Sequence, residues 1–138
     1  MTYVLPEKVK EIANGIRTME IRGAGKIARA AVEALRITAE ASRAEKFDDF
    51  MSELSFAARI LLETRPTAVS LPNGIRYVMR RLMQARDTIT NMVDLKAYTL
   101  RVADQFIEDS ENAVQRIGEI GAKRLKDGDV ILTHCHSS

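Results

Sequence analysis

The chain has one cysteine, no tryptophan, three prolines and seven glycines among its 138 residues. A lone cysteine excludes an internal disulfide framework and suits a reducing compartment. Aromatic residues are only 5% of the total, so Ala, Leu, Ile, Val and Met must fill the interior, as they do in helix bundles. No stretch approaches the roughly 18 consecutive apolar residues of a membrane span. The segment from Met1 to Lys10 carries Pro6, Glu7 and two lysines and lacks an apolar signal region. A cytoplasmic protein without a membrane partner is therefore expected. The net charge is +2 and basic residues are interleaved with acidic ones. A nucleic-acid footprint needs a clustered basic face, so no nucleic-acid partner is expected.

What remains is 46% hydrophobic and 29% charged residues over one domain's length. Pro6 and Glu7 suit a helix start, with Val9, Ile12, Ala13 and Ile16 on one face and an end near Thr18. A break at Arg22-Gly23-Ala24-Gly25 opens a second helix with a narrow stripe of Ile27, Ala28, Ala31, Leu35 and Thr38. A third is expected from about Asp48 to Glu63, directing Phe50, Met51, Leu54, Ala58, Leu61 and Leu62 inward, and Pro66 stops it. Pro72 begins a fourth, with Ile75, Val78, Met79, Leu82 and Met83 apolar. After a bend at Asp87 to Asn91 a long helix runs to about Leu125, with Val93, Ala97, Leu100, Ala103, Ile107, Val114 and Ile117 near i+3/i+4 spacing. Asp127-Gly128 is a turn signal, and Val130 to Leu132 reads as a buried strand. The reading is an all-α fold of about five helices, ending in one strand that has no sheet to join.

Three places could carry chemistry. Arg22-Gly23-Ala24-Gly25 stands at a helix entry, where free amides and the helix dipole favour a phosphate and Arg22 can clamp it; taken alone, a tight interhelical turn is the better account of the glycines. Arg65, held by Pro66, suits a phosphate or carboxylate, or simply answers the dipole of the preceding helix. Cys135 follows the expected strand, between His134 and His136. Alternation places the histidines on one side and the thiol on the other, so no metal site is expected. The thiol is either a small core residue or an activated acid-base group. Ser137 and Ser138 could hold another phosphate.

Together, Ile21-Arg22-Gly23-Ala24, Thr64-Arg65-Pro66-Thr67-Ala68-Val69 and Asp129-Val130-Ile131-Leu132-Thr133-His134-Cys135 resemble, in order and spacing, the sugar-phosphate isomerases related to initiation factor 2B. The likeness is greatest to the archaeal branch acting on ribose 1,5-bisphosphate, within nucleotide metabolism (AMP and nucleoside salvage). It implies a helical domain over 1–126, with 127–138 as the first strand and start of a Rossmann-like domain. It also implies an active site between the two and a homo-oligomer. By motif, Arg22, Gly23, Ala24, Gly25 and Arg65 would bind the sugar phosphate. Cys135 would accept the catalytic proton, and Ser137 and Ser138 would open a further substrate-binding segment. The second catalytic group, an aspartate, would lie outside this sequence, so the 138 residues alone are expected to be inactive. No cofactor is implied.

Two rivals stand beside this reading, an enzyme branch that shares the motifs and a non-enzyme class. The methylthioribose-1-phosphate isomerase branch has a longer leading region and Ala-Pro-Ala-Ile-Gly where this chain has Ala24-Gly25-Lys26-Ile27-Ala28. Regulatory subunits of initiation factor 2B bind a partner or nucleotide without turnover. The joint presence of Arg22, Arg65 and Cys135 favours an enzyme.

Overall fold

The computed structural model describes residues 3–133. Five helices follow one another: α1 (Glu7–Arg17), α2 (Ala24–Ala41), α3 (Phe47–Thr64), α4 (Ser70–Ala85) and α5 (Met92–Arg124). Short connections force consecutive helices to run antiparallel. The α1–α2 and α3–α4 loops therefore share one end of the bundle, and the α2–α3 and α4–α5 loops share the other.

Helix α2 is the axis, packed against all four others. Its stripe is wider than the sequence suggests: Val32, Ala34 and Ala39 join Ile27, Ala28, Ala31, Leu35 and Thr38 in the interior. Small side chains on several faces let neighbours approach closely. Gly74 of α4 is the clearest case, since a Cβ there would stand 3.2 Å from the Ala28 carbonyl oxygen and 3.3 Å from Val32 Cγ2. Phe50, Leu54 and Leu61 of α3 and Leu71, Val78 and Leu82 of α4 complete the core. Thr38 and Thr99 are buried but donate to the carbonyls of Ala34 and Leu95, each at 2.8 Å, which avoids an unpaired hydroxyl.

Polar contacts tie α5 alongside α2. Lys96 Nζ donates to the terminal carbonyls of Glu40 and Ser42, at 3.1 and 2.7 Å. Arg36 Nε donates to Asp104 Oδ1 at 2.7 Å, a hydrogen bond that raises the guanidinium's already high pKa. Arg29 Nη1 reaches Ser110 Oγ at 3.0 Å, near the start of α2. Beyond Ser110, α5 continues for about 20 Å past the bundle, with every residue exposed.

Three expectations require correction. Helix α4 begins at Ser70, so Pro72 lies inside its first turn, where an amide has no helical acceptor and a proline is harmless. The buried stripe of α5 is Leu95, Thr99, Val102 and Ala103; of the expected positions Ala103 is buried and Ile107 packs against the core, but Val93 and Ala97 are exposed. The first half of α5 is apolar on more than one face, and contact with α2 and α4 chooses between them. At the chain's end, the Asp127-Gly128 turn forms, with Gly128 at φ 91° and Lys126 N donating to Asp129 Oδ2 at 2.7 Å. The strand does not form among the described residues: Val130 and Leu132 are 98% and 97% exposed. A lone strand has no ladder to satisfy its backbone.

Candidate functional site

Antiparallel alternation places Arg22 and Arg65 beside one cavity. Arg22 closes the α1–α2 loop and Arg65 caps α3, and both line a space of about 770 Å³ between those loops. Gly23 and Ala24 line it too, while Gly25 sits just inside α2, outside the lining set. Gly23 is the N-cap of α2 at φ 93°, a conformation that L side chains rarely adopt. The glycine is thus required for the turn, and that turn presents Arg22 and the start of α2 to the cavity.

The electrostatics of the helix starts single this end out. Helices α1, α3 and α5 carry acidic residues in their first turns: Glu7, Asp48 with Asp49, and Asp94. Such residues answer the partial positive charge of a helix N-terminus. Helices α2 and α4 carry none and, like α1 and α3, have no side-chain cap, so nothing offsets their starts. Their opening amides, at Ala24 to Lys26 and at Ser70 and Leu71, have no helical acceptor. Both starts border the cavity, no carboxylate stands among its described lining residues, and Thr67 and Ser70 add hydroxyl groups. Two guanidiniums, two uncompensated helix starts and two hydroxyl-bearing residues suit a phosphate dianion.

Met19, Ile27 and Val69 supply an apolar wall. Met19 is the one non-glycine residue at positive φ, 68°, among the described residues. Sequence reasoning did not single out Met19, Ile27, Thr67, Val69 or Ser70 as lining. Thr67 and Val69 stood inside a quoted motif; Met19 offered no signal, because its place depends on how the chain turns after α1. Cys135, Ser137 and Ser138 lie outside the described residues.

Among the described residues, no helix is long and apolar enough to cross a membrane. The sequence is 55% identical over 131 residues to the ribose 1,5-bisphosphate isomerase of Thermococcus kodakarensis, covering 95% of this chain. This chain spans 41% of that relative's length. The fold superposes on the 5-methylthioribose 1-phosphate isomerase of Pyrococcus horikoshii with a TM-score of 0.77 at 31% identity, over 87% of this chain and 33% of that one. It also matches subunit delta of translation initiation factor 2B from Archaeoglobus fulgidus, with a TM-score of 0.72 at 30% identity, over 91% and 38% of the two chains. Residues 20–138, which begin just ahead of the Arg22 turn and run through Arg65 to the last residue, match the model of the initiation factor 2 subunit family, and the chain belongs to that family.

Proposed function

We propose that this chain is the phosphate-binding amino-terminal part of an aldose–ketose isomerase that converts ribose 1,5-bisphosphate to ribulose 1,5-bisphosphate, in AMP and nucleoside salvage. The observation that carries the reading is the shared cavity of Arg22 and Arg65, at the two helix starts that lack acidic residues. The 55% identity to a ribose 1,5-bisphosphate isomerase, against 31% to the methylthioribose enzyme, supports the bisphosphate as substrate.

The chemistry requires an acid and a base. A phosphate on the anomeric oxygen prevents the ring from opening by loss of a hydroxyl proton. Instead the ring oxygen is protonated as its bond to C1 breaks, and a base removes the proton from C2. The protonated base then returns that proton to C1 of the enol, the C2 hydroxyl gives its proton back to the acid that protonated the ring oxygen, and C2 becomes the ketone. Cys135 serves as the base in this proposal. The acid belongs to a Rossmann-like domain that begins within 127–138 and closes over the cavity. Arg22, Gly23, Ala24, Gly25 and Arg65 hold the phosphate, while Ser137 and Ser138 extend the substrate site. The exposed Val114, Ile117 and Ile120 lie on the part of α5 that projects at the cavity end of the bundle, and supply apolar surface for that domain. The working protein is a cytoplasmic homo-oligomer.

The test is turnover by the full-length protein on ribose 1,5-bisphosphate and on methylthioribose 1-phosphate. Cys135→Ser is expected to lower kcat by about 10²-fold or more while sugar-phosphate binding persists. Normal turnover by that variant would remove the thiol from the mechanism. The likeness to the initiation factor subunit favours a second, non-catalytic reading. No turnover of either sugar, with binding to an initiation factor, would establish it instead.

A further inference from the structure

Gly15 lies in α1, where glycine weakens a helix and its presence calls for a packing reason. It is buried, and the chain after α1 folds back over it. Ile21 N donates to the Gly15 carbonyl at 2.9 Å, across the turn that contains Met19 in its left-handed conformation. A Cβ on Gly15 would stand 2.9 Å from Ile21 Cδ1 and 3.1 Å from Cγ1. The missing side chain is therefore the seat of Ile21, which is half-buried against the core. The next residue is Arg22, and the one after it is Gly23 at φ 93°. Arg22 is held between a pinned isoleucine on one side and a glycine hinge on the other.

We infer that Gly15 is a positioning residue for anion binding, acting through Ile21 to aim Arg22 into the cavity. This rests on the phosphate-site reading of Arg22. An alanine at Gly15 would crowd the end of the Ile21 side chain. On this inference the crowding is felt at Arg22, because the Ile21 amide is itself tied to the Gly15 carbonyl and leads directly into Arg22.

The experiment uses the 138-residue chain, nuclear magnetic resonance and inorganic phosphate as the probe. In the ligand-free protein, Gly15→Ala is expected to shift the amide signals of Ile21, Arg22 and Gly23. It should also raise the phosphate Kd about tenfold at temperatures well below Tm. Adding Ile21→Val, which removes Cδ1, should return both the signals and the Kd toward wild type, a rescue that a helix-stability effect would not produce. Ile21→Ala opens the same contact with Gly15 intact, and serves if Gly15→Ala does not fold; it too should weaken binding. Unmoved Arg22 signals, or a Kd in Gly15→Ala equal to wild type while Arg22→Ala loses binding, would overturn the inference. Phosphate binding that is indifferent to Arg22→Ala would instead overturn the phosphate-site reading.

Discussion

The five helix starts divide by the end of the bundle at which they lie. At one end, α1, α3 and α5 begin with acidic first turns, and Asn91 caps α5 by accepting from Asp94 N at 2.8 Å. At the other, α2 and α4 begin without an acidic residue, beside Arg22 and Arg65. The first set is arranged for helix stability: each carboxylate offsets a helix dipole locally. The second set forgoes that stabilisation and leaves positive potential directed into a cavity. On the proposed reading, anion affinity lies at the end where helix-start stabilisation is given up.

Substitutions can break that contrast, beginning with the largest effect. Arg22→Ala and Arg65→Ala should each weaken phosphate or sugar-phosphate binding by about 10- to 100-fold, the worth of a charge-assisted hydrogen bond. Calorimetric titration would measure this, and Tm should hardly move because neither residue is in the core. Asn91→Ala should do the opposite, costing about 1 kcal/mol in urea unfolding and leaving phosphate affinity unchanged. Ser70→Asp sharpens the comparison by giving α4 the kind of start the other helices have. Stability should rise by about 0.5 kcal/mol while phosphate affinity falls severalfold, so that the two readouts move in contrary directions. An affinity that survives this substitution would separate α4 from the site. Smallest is Asp94→Asn, which should lower stability by a few tenths of a kcal/mol, with salt reducing the difference.

Much of the fold was legible because helices announce themselves locally. Pro6, the glycines from Gly23 to Gly25, and Pro66 mark boundaries through backbone sterics that act within a few residues. The register of α5 was only partly legible: Ala103 and Ile107 turn inward as expected, but the start of the helix does not follow. Its Val93–Ala97–Leu100 series has the same spacing as the Leu95–Thr99–Val102 series that is buried, and spacing cannot rank two faces of one helix. The last part of α5 makes the same point: Val114 and Ile117 continue the periodic pattern but find no neighbour among the described residues, and stay 43% and 71% exposed. Of the candidate site, the arginines and glycines were visible as motifs. Met19 and Ser70 were not, because nothing beside them in sequence marks them as facing a cavity.

By itself the sequence determined the number and approximate limits of the helices, the need for glycine at the turn into α2, and the residue types able to hold a phosphate. These follow from interactions between near neighbours in the chain. Only the tertiary structure decided that Arg22 and Arg65, far apart in sequence, line the same cavity, which face of α5 is buried, and that Ile21 seats on Gly15. Those outcomes depend on the antiparallel packing of all five helices around α2, and a contact between distant segments exists only once that packing has formed.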